Sequence, residues 1–300
     1  MKQKAASERV NRNVTGDQRV STISQPSPPG QNRLDERFEQ LRARGEKALI
    51  AYVMAGDPGL AETEQLVVAL EEAGADIIEL GVPFSDPIAD GPVIQQAAER
   101  ALRNGTSLRD ILHSVKSLRQ LTQIPIVLMV YYNSIYAMGI EAFCVAAKEA
   151  SVDGMIVPDM PPDEAGPLKG PAHTAGLRLV FLLAPTSTAA RRAYVARESE
   201  GFLYYVSVTG ITGARIQNMQ EVGTNVAKIR KATRIPIAVG FGVQTPEDAA
   251  KVAAMADGVI VGSAIVRQIA LHQQKPDMVS AVATFVGSLK AAMRQASPST

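Results

Sequence analysis

From residue 34 onward, short apolar runs alternate with stretches whose apolar positions recur every three to four residues. The runs cover 48–54, 76–80, 125–130, 154–157, 177–183, 202–207, 235–239 and 258–261, each the length of a buried strand. Between them lie segments such as Thr63-Glu64-Gln65-Leu66-Val67-Val68-Ala69-Leu70-Glu71-Glu72-Ala73, stopped by Gly74, with helical spacing. Eight apolar runs thus follow one another without a hairpin signal. Consecutive βα units make a parallel sheet, and this number suits a closed (β/α)8 TIM barrel of roughly 250 residues, here with an extra N-terminal helix. An open doubly wound sheet is the alternative, and it often binds its ligand behind a glycine-rich turn after the first strand. The turn found there, Ala55-Gly56-Asp57-Pro58-Gly59, carries no dinucleotide fingerprint.

The first 32 residues break the pattern, being rich in Ser, Gln, Asn, Arg and Pro and ending in Ser27-Pro28-Pro29-Gly30-Gln31-Asn32. They are expected to form a disordered extension, leaving 33–297 as one catalytic barrel domain. Glu8 and Asp17 interrupt the arginines of this segment, which argues against an organelle-targeting helix. The chain is 46% hydrophobic and 20% charged, as in ordinary globular proteins. Its 31 basic and 30 acidic residues leave a net charge of +1, with no basic excess to hold a nucleic-acid backbone. Every hydrophobic run is cut short of the ~20 residues needed to cross a bilayer. The single cysteine, Cys144, lies in a helical pattern and is expected to be packed in the core. A cytoplasmic protein with neither a membrane nor a nucleic acid as partner is expected.

A barrel gathers its active site where the strands end. The residues there are Tyr52 and Asp57 after the first run, Glu79 in the second, Tyr131 and Asn133 after the third, Asp159 after the fourth, and Tyr204 and Thr209 around the sixth. Glu79 closes a buried strand, where poor hydration raises a carboxyl pKa and lets one group both give and take a proton. Behind it the loop Gly81-Val82-Pro83-Phe84-Ser85-Asp86-Pro87-Ile88-Ala89-Asp90-Gly91-Pro92 presents further carboxylates on a backbone stiffened by proline. The last three strand ends bear glycine instead: Thr209-Gly210-Ile211-Thr212-Gly213-Ala214, Gly240-Phe241-Gly242 and Gly262-Ser263. Backbone amides in such turns, together with a helix start, form a phosphate cradle. A Schiff-base aldolase needs a lysine facing the substrate, and a metal-dependent epimerase needs histidines beside carboxylates. Lys47 precedes the first strand, Lys116, Lys148, Lys228 and Lys251 fall in helical stretches, and His113, His173 and His272 lie away from the strand ends. Carboxylates, tyrosines and amides remain, a set suited to metal-free proton transfer on a phosphorylated, partly apolar substrate.

In Ala55-Gly56-Asp57-Pro58, in the long piece from Glu79 to Gln95, in the three glycine turns and in Val261-Gly262-Ser263-Ala264-Ile265-Val266, the chain resembles the tryptophan synthase alpha subunit family, over about residues 34–296. The resemblance implies retro-aldol cleavage of indole-3-glycerol phosphate to indole and glyceraldehyde 3-phosphate. It makes Glu79 the general acid and base, and Asp90 the ionised partner of the indole N–H. Tyr204 would help to place the glutamate, while Tyr52, Met129, Tyr131 and Phe241 would wall the pocket. Gly213, Gly242, Gly262 and Ser263 would bind the phosphate, with Thr212 closing over the substrate. The chain itself would need no cofactor. A beta subunit holding pyridoxal phosphate would dock against Asp86, Pro87 and Asn133 in an α2β2 assembly, and the Asp90 loop and the loop 209–219 would act as lids. Fold and cradle alone also fit another phosphate-binding barrel enzyme, and a stand-alone lyase or a non-catalytic activator of the beta subunit remain alternatives.

Overall fold

The computed structural model of the chain describes residues 32–207, 218–240 and 242–296. In chain order the first half forms α1 (Arg33–Ala43), β1 (Ala48–Met54), α2 (Leu60–Glu72), β2 (Ile77–Gly81), α3 (Pro92–Arg103), α4 (Leu108–Leu118), β3 (Ile126–Met129), α5 (Tyr132–Met138), α6 (Ile140–Glu149) and β4 (Gly154–Ile156). The second half continues through α7 (Gly166–Ala175), β5 (Arg178–Val180), β6 (Leu182–Leu183), α8 (Ala189–Glu198), β7 (Leu203–Val206) and α9 (Met219–Arg230). It ends with β8 (Ile237–Gly240), α10 (Pro246–Ala253), β9 (Gly258–Val261), α11 (Ser263–His272) and α12 (Met278–Ala296). Local chemistry marks the helix ends: Ser107 and Asp110 form a capping box at α4, and Thr188, Asn218 and Thr245 cap α8, α9 and α10.

All ladders are parallel and run β5-β4-β3-β2-β1-β9-β8-β7-β6. The run expected at 177–183 is one crossing of the barrel divided at Phe181, because its first part pairs with β4 and its second with β7. The Phe181 carbonyl accepts the Tyr204 N–H at 3.2 Å. One segment therefore supplies both ends of the ladder, and the sheet closes into the (β/α)8 TIM barrel.

Every residue of β1 is buried, as a strand covered on both faces requires. Leu49, Ala51 and Val53 pack outward with the surrounding helices, whereas Ala48, Ile50, Tyr52 and Met54 belong to the barrel's interior. The same alternation aims Ile77, Val127, Met129, Tyr204, Ala238 and Ile260 inward. Glu79 shares the inward parity of Ile77 on β2 and stands in register with Tyr52.

The base of the barrel is sealed by α1, whose Phe38 ring lies 5.8 Å from that of Phe202. Asn32 has the composition of the extension before it. In the structure it is buried and caps α1, accepting the Leu34 N–H at 2.9 Å and donating to the carbonyls of Asp153 and Gly176. Residues 1–31 lie outside the described set. On the same face, Lys290 of α12 is only 3% exposed and donates to Asp76 Oδ2 at 2.7 Å and to the Lys47 carbonyl at 2.9 Å. Asp76 also accepts the Leu49 N–H at 2.8 Å, tying the start of β1 to the entry of β2. Cys144 is packed in α6, and burial pushes its thiol up to about 11. Among the described residues, no helix is long and apolar enough to cross a membrane.

Candidate active site

At the carboxyl ends of the strands a cavity of about 520 Å³, counted out to its open mouth, is lined by Tyr52, Glu79, Asp90, Met129, Tyr204, Gly242, Gly262 and Ser263. Eight residues expected from the sequence thus surround one space. Their convergence follows from strand parity, since Tyr52, Glu79, Met129 and Tyr204 are inward positions of four different strands.

Glu79 is 1% exposed, and its Oε2 is buried without a hydrogen-bond partner. Burial, with a smaller push from the Asp90 charge, raises its carboxyl to about 8. Removing a carboxylate from water penalises the charged form, and a nearby negative charge penalises it further. Asp90 is 7% exposed and is raised to about 6 by burial, against which a hydrogen bond from Tyr131 acts. At neutral pH the pair therefore holds a proton on Glu79 and a charge on Asp90. Tyr52 and Tyr204 stay protonated, both being driven well above the ordinary phenol range, by burial first and by the two carboxylates next.

Tyr131, expected as a wall of the pocket, stands behind Asp90. Its hydroxyl donates to Asp90 Oδ2 at 3.1 Å and accepts the Ala89 N–H at 3.0 Å, and its ring stacks on Phe84 at 5.1 Å. Gln95 Nε2 donates to the Asp90 carbonyl at 2.7 Å. The loop between β2 and α3 is thereby pinned at the residue that faces the cavity. Beyond that point it is open to solvent: Asp86 is exposed, Pro87 is partly so, and Ile88 is 81% exposed. Asn133 is exposed at the start of α5.

Two acids from the shortlist serve other purposes. Asp57 is engaged by Arg100 at 2.7 and 2.8 Å, and Asp159 accepts the Tyr132 N–H at 3.0 Å. Thr209, Thr212, Gly213 and Phe241 lie outside the described residues, as does most of the loop 209–219. Its last two positions are the cap and first residue of α9. Ile94, Val243, Gln244, Ile260 and Arg267 also line the cavity and were not singled out from the sequence. Arg267 had a legible signal, four residues after Ser263 in a helical stretch, which puts both on one face.

The sequence profile of the family described as tryptophan synthase alpha chain matches residues 38–294. A tryptophan synthase alpha chain of Geobacter sp. (strain M21) is 52% identical over 259 residues, covering 86% of this chain and 97% of the relative. That of Thermoanaerobacter sp. (strain X514) is 45% identical, covering 86% and 98%. Among solved structures, tryptophan synthase subunit alpha from Legionella pneumophila str. Paris superposes with a TM-score of 0.83 at 38% identity, covering 88% of this chain and 99% of that one. A chain of Mycobacterium tuberculosis tryptophan synthase does so with a TM-score of 0.80 at 38% identity, covering 88% and 98%.

Proposed function

The chain belongs to the tryptophan synthase alpha chain family, and from that premise we propose that Glu79, Asp90 and Tyr204 carry the reaction within the cavity described above. The family's activity is the retro-aldol cleavage of indole-3-glycerol phosphate to indole and glyceraldehyde 3-phosphate, a lyase step of tryptophan biosynthesis. Alpha chains perform it without a cofactor, pyridoxal phosphate being held by the beta subunit.

One observation carries the assignment of roles: two buried carboxyls share a cavity, with Glu79 raised to about 8 and Asp90 to about 6. Glu79 begins as the acid and gives its proton to C3 of the indole. Positive charge then spreads to the ring nitrogen, whose N–H donates a hydrogen bond to the Asp90 carboxylate, and the carboxylate stabilises that charge. The Glu79 carboxylate next takes the proton of the hydroxyl on the carbon bonded to C3. The O–H electrons form the aldehyde C=O, while the electrons of the breaking carbon–carbon bond return to the ring. Indole and glyceraldehyde 3-phosphate leave, and Glu79 is again protonated. Tyr204 restrains the glutamate from the opposite strand, Tyr52 and Met129 border the substrate, and Gly242, Gly262 and Ser263 offer amides to the phosphate. Phe241, Thr212 and Gly213 are assigned to wall, closure and phosphate binding on the family resemblance. Tyr131 acts through Asp90.

We extend the reading to an α2β2 assembly in the cytoplasm, in which indole passes to the beta subunit. The family positions Asp86, Pro87 and Asn133 support it, since Asp86 and Asn133 are exposed and Pro87 partly so, leaving them open to a partner. The catalytic domain begins at Asn32, which caps α1, rather than at residue 33, and the residues before it are an extension.

Indole release from indole-3-glycerol phosphate, measured with and without a beta subunit, tests the function. Wild type is expected to release indole in both, faster with the partner. Glu79→Gln is expected to lose about 10²–10⁴-fold in kcat, the usual worth of a positioned acid–base group, with an unchanged circular dichroism spectrum. Full turnover by Glu79→Gln overturns the assignment, and a folded wild type inactive even with its partner overturns the function.

A further inference from the structure

A substrate phosphate brings negative charge into a cavity that already contains the Asp90 carboxylate, where a positive group would offset it. Among the described residues lining that cavity, Arg267 is the one cation. It lies in α11, whose N-cap Gly262 has no side-chain cap bond. The first N–H groups of the helix are thus left for a ligand. Arg267 follows Ser263 by four residues and shares its helix face. Its side chain is partly buried and has no hydrogen bond or ion pair among the described residues. Arg33, Arg100 and Arg119, also partly buried, are each paired with a carboxylate. A partly buried arginine with no partner among the described residues, beside capless amides, is arranged for an anion that arrives from outside.

We propose that Arg267 is a specificity-determining residue, whose guanidinium takes the substrate phosphate against the amides of Gly262 and Ser263 and so selects phosphorylated over unphosphorylated indole-glycerol. The proposal rests on the function given above. A planar guanidinium binds phosphate through two parallel hydrogen bonds, where lysine supplies only a point charge. Because the contact lies away from the carbon–carbon bond being broken, its loss weakens binding more than chemistry.

The test compares wild type, Arg267→Gln and Arg267→Lys in indole release from indole-3-glycerol phosphate and from its dephosphorylated form, and in thermal melting with inorganic phosphate. Arg267→Gln is expected to raise KM for the phosphorylated substrate by about 10–100-fold, the range of a lost charge-assisted hydrogen bond, with kcat within about threefold of wild type. Arg267→Lys should fall between, and the dephosphorylated substrate should not distinguish the three. Inorganic phosphate should raise the melting temperature of wild type but not of Arg267→Gln. Unchanged KM with an unchanged phosphate shift overturns the proposal, as does an equal KM change for both substrates. If wild type releases no indole, the function fails, while the phosphate melting shift still decides the role of Arg267.

Discussion

Glu79 and Asp90 are the same functional group in one cavity, yet between about pH 6 and 8 one keeps its proton and the other does not. Catalysis by this pair requires Glu79 protonated and Asp90 ionised. The rate is therefore lost below pH 6 as Asp90 takes a proton, and lost above pH 8 as Glu79 gives one up. A bell-shaped kcat/KM profile with limbs near these values is expected between pH 5 and 9. In Asp90→Asn the acid limb should vanish and the rate fall. The alkaline limb should move to lower pH, because the Asp90 charge helps to raise Glu79. An alkaline limb that stays in place in Asp90→Asn would separate the two groups electrostatically. Glu79 was legible in the sequence because a charge inside an apolar strand demands a reason. Arg267 was legible only as a residue on the Ser263 face of a helical stretch, since an arginine in an amphipathic helix reads as surface until the helix is oriented. Tyr131 stood on the shortlist, but its attachment to Asp90 spans 41 positions and no local pattern encodes it.

The strand elements do more than carry residues to the mouth, for they also set which neighbours must be small. In β2, Gly81 faces Tyr52 of β1 so closely that an added Cβ would lie 2.2 Å from the tyrosine hydroxyl oxygen and 2.7 Å from Cζ. Gly81→Ala therefore forces Tyr52 aside, at a cost of about 1–3 kcal/mol for overpacking. Because Tyr52 stands in register with Glu79, melting temperature and kcat are both expected to fall, with KM changing less. Thermal melts with steady-state kinetics check this, and a destabilised variant with full kcat would show that the place of Tyr52 does not matter to the chemistry. Apolar runs located the strands to within one or two residues, since a doubly covered strand must be apolar throughout. The division at Phe181 was illegible, because the run 179–183 is apolar throughout and only the different partners of its two parts separate them. Gly139, whose φ of 89° ends α5 and begins α6, divides what periodicity alone would join.

At the scale of the molecule, substrate chemistry and structural closure sit on opposite ends of the barrel. The Lys290 and Asp76 pair is 214 residues apart in sequence, and its lysine belongs to an amphipathic helix, so its burial could not be read from local pattern. Removing Lys290 leaves the buried Asp76 with only its longer pairing to Arg37 at 3.7 Å among the described cations, a loss toward the lower end of the about 3–5 kcal/mol of a broken buried pair. Lys290→Met is expected to lower the melting temperature by about 10 °C while leaving kcat near wild type below the transition. Adding Asp76→Asn should restore part of the loss, and no recovery in the double variant would assign the effect to packing alone. The alternation of apolar runs with helical stretches made the fold class legible, but the seal at the base emerges only from tertiary distance. That seal also orders events in time. A growing chain can offset Asp76 beside its first strand pair with Arg37 at 3.7 Å long before Lys290 of α12 is synthesised to bind it at 2.7 Å. The earliest ladder of the barrel is completed by the last helix made, so a stop within α12 would loosen the protein at its beginning.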